Sequence, residues 1–291
     1  MKSADIAKRF RIDSPGKFRL KDFDPADTAG LANDKDAFAK EVADDTKKLG
    51  KLQDRMYAER RWSVLVILQG MDASGKDGVV QHVFAGVNPQ GLDVRSFKQP
   101  SSEELAHDFL WRTTLKLPER GRIGVFNRSY YEEVIVVRVH PEYLGGQGLP
   151  KPLVTDSIWQ ERFEDIVAYE KHLARSGTLV LKFFLHMSRE EQAKQQLQRL
   201  EEPDKYWKFN AGDLKERMLW DKYMAAYEDA IARTSTKEAP WYVVPSDNRW
   251  FQRMVVAGAI RDAGDRLNPQ YPPLSAKDMA ALEEMKKALK D

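Results

Sequence analysis

Trp62-Ser-Val-Leu-Val-Ile-Leu-Gln69 runs straight into Gly70-Met-Asp-Ala-Ser-Gly75-Lys76. The first half is too short for a helix and rich in β-branched residues, and it carries no polar alternation. Such a run reads as a strand buried on both faces, the signature of a parallel sheet. The second half fits G-x-x-x-x-G-K. Its glycines permit close backbone approach to an anion, its amides and the dipole of the helix that follows face that anion, and Lys76 adds a point charge. Strand, phosphate loop and helix in this order predict a phosphate site built on Gly70, Ala73, Ser74, Gly75, Lys76 and Asp77.

Two residues depart from the usual loop. Asp77 follows the lysine where a Ser or Thr ordinarily helps to hold Mg²⁺. Asp72 puts a carboxylate inside an anion site, which makes sense if a cation lies between it and the phosphate oxygens.

Outward from the loop, further strands are predicted at Leu92–Lys98, Arg122–Asn127, Leu179–His186 and Trp241–Pro245. Helices are predicted from Asp34 to Arg60 and at Gly75–Phe84, Ser101–Lys116, Asp156–Arg175, Arg189–Glu202, Asp213–Thr234 and Trp250–Leu267. Five strands alternating with helices imply a doubly wound α/β fold, a parallel sheet sandwiched by helices. Residues 1–33 read as an irregular N-terminal arm and 34–267 as a single domain with a lid at about 195–215. Residues 268–291 read as a C-terminal tail, with a short amphipathic helix from Ala276 that packs on the surface or on another subunit.

Composition excludes more than it assigns. The 47 basic and 45 acidic side chains nearly cancel, so any basic groove must come from local clustering. There is no cysteine, hence no disulfide, thiolate nucleophile or Cys-bound metal. No apolar run approaches the roughly 20 residues that span a bilayer and no signal-peptide pattern is visible, so a cytoplasmic protein is expected. The five histidines lack metal-ligand spacing.

A second cluster, Asn127-Arg128-Ser129-Tyr130-Tyr131-Glu132, ends the third strand, where a Walker B carboxylate is expected. Asn127 stands there as a neutral ligand, with Glu132 close behind, and Arg128 and Arg138 offer cations to a polyanion. Arg199-Leu-Glu-Glu-Pro-Asp-Lys205-Tyr-Trp207-Lys208 is basic and aromatic, suiting a mobile lid that closes Arg199, Lys205 and Lys208 over phosphates. Trp207 fits equally a structural anchor, and Lys205 and Lys208 a solvated face.

From about Phe18 to Leu267 the sequence resembles the family-2 polyphosphate kinases. The resemblance is carried by Leu20–Gly30, Leu68–Asp77, Phe126–Glu132, Pro203–Lys208 and Pro240–Asp247, in that order. It implies a thymidylate-kinase-like P-loop fold with a helical lid and reversible phosphoryl transfer between inorganic polyphosphate and nucleotides. It also implies Mg²⁺ dependence, with Mn²⁺ as a substitute, and assembly as a homo-oligomer, dimer or tetramer. By motif, Asp72 looks like a Mg²⁺ ligand, with Asn127 and Glu132 beside it, and Lys76 looks like a phosphate clamp. Arg128, Arg138, Arg199 and Lys208 look like phosphate-chain or nucleotide contacts. Asn127 before Tyr130-Tyr131-Glu132 looks like the subgroup that accepts AMP as well as ADP, with guanine nucleotides as further acceptors. Neither nucleic acid nor membrane is an expected partner. Two other readings share these residues: an ATP-dependent nucleoside monophosphate kinase and a non-catalytic polyanion-binding module.

Overall fold

A computed structural model describes residues 2–16, 18–32, 34–208 and 210–290. The chain opens with helix α1 (Ser3–Ala7), strand β1 (Arg11–Ile12) and the long helix α2 (Lys35–Glu59), then reaches β2 (Ser63–Gln69). Helix α3 (Lys76–Val83) follows the glycine loop and leads to β3 (Leu92–Ser96). The short helices α4 (Ser102–Leu105) and α5 (Trp111–Thr114) precede β4 (Ile123–Asn127), α6 (Glu132–Val139), α7 (Ile158–Arg175) and β5 (Thr178–His186). Then come α8 (Arg189–Glu201), α9 (Asp213–Met218), α10 (Trp220–Thr234), β6 (Trp241–Pro245), α11 (Arg249–Asp265) and α12 (Ala276–Ala288).

The strands form one sheet in the order β1-β6-β5-β2-β4-β3, parallel throughout except for β1. Side chains alternate across β2, as the strand period demands. Val64, Val66 and Leu68 enter a core shared with α2, α3 and α11, while Leu65 and Ile67 enter one shared with α6, α7 and α10. Covering both faces is what makes β2 apolar along its whole length. Because β2 lies between β4 and β5, the loop at its carboxyl end emerges mid-sheet, where ligands of doubly wound sheets bind.

The α/β class, the P-loop kinase architecture and the five parallel strands are as expected, with differences at the edges. A sixth strand, β1, pairs antiparallel with β6, and α1 packs on α11. The N-terminal arm is therefore partly ordered. Gly258 permits that docking, since a Cβ there would lie 2.6 Å from the Ser3 backbone. Ser101–Lys116 is two single turns, not one helix. A capping box of Ser101 and Glu104 starts the first turn, and the Asp108 carboxylate then takes the Leu110 amide at 2.9 Å and begins another. Asp213–Thr234 breaks at Leu219, and α6 is a helix where none was predicted. Helix α12 buries none of its residues. Among the described residues no helix is long and apolar enough to cross a membrane.

Candidate active site

The loop between β2 and α3 is held by its carbonyls. Gln192 donates to the Asp72 carbonyl at 3.1 Å, Arg249 to those of Ala73 at 2.7 Å and Ser74 at 2.6 Å, and Gln252 to that of Ser74 at 2.8 Å. With the carbonyls engaged, the unpaired N–H groups of the first turn of α3 are the donors left for a ligand. Gly70 (φ 154°) and Gly75 (φ 96°) hold backbone conformations that favour glycine, and a Cβ on Gly70 would lie 2.6 Å from Ser74 Oγ. Ala73 sits at φ 64°, left-handed without being glycine, a strain of the kind that gathers at ligand sites. Lys76 folds back over the loop, donating to the carbonyls of Gly70 at 2.8 Å and Met71 at 3.1 Å. Burial, with Arg128 nearby, pulls its ammonium down to about 7 despite Asp72, Glu132 and Asp77.

A cavity of about 260 Å³ opens on this loop. Asp72, Lys76 and Asp77 line it from the loop side, Arg199 and Lys205 from the far side. Arg199 pairs with Asp72 at 2.6 Å, and Lys205 with Glu202 at 2.5 Å. Burial pushes the Asp72 carboxyl up, but Arg199 and Lys76 outweigh it and hold it below the ordinary carboxylate value. Asp213, at the start of α9, lies 3.8 Å from the same Arg199, and burial together with the neighbouring Asp72 charge pushes it up to about 6. Two neighbouring carboxylates disfavour joint ionisation unless a cation relieves them.

Across the sheet end, Asn127 donates to Asp77 at 2.7 Å, which leaves its amide oxygen facing elsewhere. Arg128 has φ 66°, and its amide bonds the Leu68 carbonyl at 3.0 Å, so the turn after β4 is locked to β2. Arg128 donates to Glu132 at 2.7 Å, and Gln69 donates to the other Glu132 oxygen at 3.0 Å. Glu132 raises the Arg128 guanidinium well above its ordinary value, so it stays charged. Beneath this turn Tyr130 and Tyr131 both donate to Glu170 at 2.9 Å. Lys182, fully buried in the middle of β5, donates to Glu170 at 2.5 Å, to the Tyr131 hydroxyl at 3.0 Å and to the Thr234 carbonyl at 2.7 Å.

Arg128 and Glu132 also line a second, larger cavity of about 590 Å³, walled by Phe97, Pro100, Leu105, Phe109 and Tyr143. Aromatic walls with a few convergent charges fit a base and sugar whose phosphate points at Arg128. Arg128 lines only this larger cavity, but its charge reaches Lys76 in the smaller one.

The structure brings Gly70, Asp72, Ala73, Ser74, Gly75, Lys76, Asp77, Asn127, Arg128, Glu132, Arg199 and Lys205 to this one end of the sheet. Arg138 is placed elsewhere: it lines neither cavity, pairs with Asp229 on α10 and lies over the Phe163 ring. Lys208 closes a 3₁₀ turn, Pro203–Lys208, and its side chain lies outside the described residues. Asp213, Arg249, Arg253 and Gln252 were missed. Only Arg249 had a sequence signal, sitting three residues past Ser246 at the end of a strand.

Among the described residues no group of three His, Asp or Glu side chains forms a metal cage. Magnesium rarely needs one, since it is commonly held by one or two carboxylates with waters and substrate phosphates. Asp72 against Asp213, at the mouth of a phosphate loop, suits that mode. Glu132 suits it less, because both its oxygens already accept hydrogen bonds.

Comparison with known proteins gives a consistent set of similarities. Residues 32–271 match the family model described as Polyphosphate kinase 2 (PPK2). The "ADP-polyphosphate phosphotransferase" of Rhodopseudomonas palustris is 45% identical over 97% of the chain and 98% of its own length. The "AMP/ADP-polyphosphate phosphotransferase" of Meiothermus ruber is 44% identical over 95% of the chain and 100% of its own length. A crystal structure of polyphosphate kinase 2 from Arthrobacter aurescens superposes with a TM-score of 0.86 at 36% identity, covering 98% of this chain and 97% of that one.

Proposed function

The chain belongs to the polyphosphate kinase 2 family, and from that premise we propose how its two cavities divide the work of a polyphosphate-dependent nucleotide kinase. Polyphosphate occupies the glycine-loop cavity. AMP or ADP occupies the larger cavity with its terminal phosphate toward Arg128, as the names of the two curated relatives suggest. The observation that carries this division is Arg128, which lines the nucleotide cavity while its charge is felt by Lys76 in the other.

The acceptor phosphate oxygen attacks the terminal phosphorus of the chain. A new P–O bond forms to the nucleotide, the bond to the bridging oxygen breaks, and the shortened chain leaves with the negative charge. The attacking oxygen is already anionic at neutral pH, so no general base is required. The protein contributes alignment and neutralisation of charge. Lys76 releases its loop carbonyls to hold the transferring phosphoryl oxygens, and Arg128, fixed by Glu132, spans donor and acceptor. Kinases of this kind use a divalent metal. We assign Mg²⁺, replaceable by Mn²⁺, to Asp72 with Asp213 and the Asn127 oxygen nearby, where it supplies charge neutralisation on the phosphates. Arg138 acts through α10, by way of Asp229.

Residues 195–215 act as a lid on a body of residues 34–267, between the 1–33 arm and the 268–291 tail. The supporting feature is a run of apolar side chains left exposed on that segment and just beyond it: Leu197, Leu200, Tyr206, Trp207, Leu214 and Met218. Closure brings Arg199, Lys205 and Lys208 over the donor and excludes water. The unburied helix α12 supports a homo-oligomer, and the substrates suit the cytoplasm.

The test is ATP formation from ADP with polyphosphate as sole donor, set against ATP-dependent phosphorylation of AMP, in wild type and Lys76→Ala. Polyphosphate-driven turnover that collapses in the variant is expected. Turnover with ATP but not polyphosphate, or an undiminished Lys76→Ala protein, refutes the reading.

A further inference from the structure

Helix α11 begins with two arginines one turn apart, Arg249 and Arg253. Like charges at i and i+4 repel, and both lie at the end of the helix where the dipole is already positive. Neither makes an ion pair with an acid among the described residues. Arg249 is accounted for, since its guanidinium holds the Ala73 and Ser74 carbonyls. Arg253 is not. It lies over the Trp250 ring at 4.5 Å, and its buried Nε has no hydrogen-bond partner. Its guanidinium lines the glycine-loop cavity at the start of α3, so close to Gly78 that a Cβ there would lie 3.1 Å from Nη2. A second positive helix end is thereby added to an arrangement that is unfavourable until an anion arrives.

The position relative to the nucleotide cavity gives that anion a direction. Arg128 lines only the nucleotide cavity, with its charge reaching Lys76, whereas Arg253 lines only the cavity on the glycine loop. A donor whose terminal phosphate lies between Lys76 and Arg128 has the rest of its chain on the side of Gly78. We propose that Arg253 binds internal phosphates of the polyphosphate chain, beyond the one transferred, and so favours long chains over short ones. This rests on the donor being polyphosphate, as argued above. Arg253 touches no reacting atom; it is a donor-binding residue that acts on chain length.

The experiment compares wild type, Arg253→Gln and Arg253→Lys at saturating ADP, with long-chain polyphosphate and with tripolyphosphate as donors. Unfolding midpoints are recorded alongside. Losing a charge-assisted contact raises the long-chain KM about tenfold in Arg253→Gln, with the loss carried by KM rather than kcat. The tripolyphosphate KM rises less, the ADP KM holds, and Arg253→Lys recovers most of the deficit. An unshifted long-chain KM, or an equal rise for both donors, overturns the inference while the activity itself stands. A lowered midpoint with unchanged donor preference assigns Arg253 to stacking on Trp250 and overturns it too. If Arg253→Gln does not fold, the long-chain to tripolyphosphate KM ratio of Arg253→Lys against wild type decides: a lower discrimination supports the inference, an equal one ends it. Wild type inactive with any polyphosphate removes the donor reading and the inference with it.

Discussion

Replacing Lys182 with Met tests the foundation beneath the Arg128 turn. The side chain is fully buried and makes three hydrogen bonds, one of them to the carboxylate of Glu170, itself 1% exposed. Methionine fills a similar volume but leaves Glu170 with only the hydroxyls of Tyr130 and Tyr131. Removing one partner of a buried pair typically costs about 3–5 kcal/mol, against near neutrality when both charges go. For a chain of this size that lowers the midpoint by roughly 10 °C. The loss must also depend on pH in a definite sense. Burial already raises the Glu170 carboxyl, and without Lys182 it rises further. A carboxyl raised in the folded state is ionised first in the unfolded chain, so stability falls as pH climbs from about 4.3 through the folded value. The deficit of Lys182→Met should therefore be larger at pH 8 than at pH 5, and Lys182→Met with Glu170→Gln should be more stable at pH 8 than Lys182→Met alone. Circular dichroism melts across that range provide the assay. A deficit of only a few degrees that does not change with pH, or a double variant no better than the single, refutes the reasoning.

Arg249→Ala leaves the Ala73 carbonyl without this donor and the Ser74 carbonyl with Gln252 alone, and kcat/KM should fall on the order of 10–100-fold at a cost of about 1–3 kcal/mol, measured by initial rates and melts. Chelating the divalent metal should stop transfer; Asp72→Asn should raise the metal concentration for half-maximal rate on the order of tenfold, read from Mg²⁺ titrations. His186 is held down to about 4 by burial, with its Nε2 3.1 Å from the Phe23 carbonyl. Its neutral form favours the folded state above about 6.5, and that stability is lost as pH falls toward 4, by at most about 3 kcal/mol. His186→Gln should flatten this acid limb in midpoint-against-pH curves.

What could be read in the sequence was local. The β2 run and its glycine loop declare themselves because burial on both faces forces continuous apolarity, and the loop's chemistry demands glycine. Helix α6 hid for the opposite reason: Glu132–Val139 is rich in valine, and it is helical because α7 and α10 bury it. Arg249 and Gln252 reach the loop across 175 and 178 residues of chain. Asp213 meets Asp72 only through the fold. No spacing rule connects such pairs. Arg138 shows the converse, since a cation near a motif in sequence is turned by its helix toward Asp229.

The carbonyls of Gly70 and Met71 accept from Lys76 in the role that phosphate oxygens would take in the proposed reaction. Arrival of the donor is thus an exchange of partners, one set of acceptors for another, and the net affinity is smaller than a tally of the final contacts implies. The same exchange runs backwards when the shortened chain departs. Because the ammonium keeps a partner in both states, the loop has no reason to collapse between turnovers, and release of product need not wait for the site to be rebuilt.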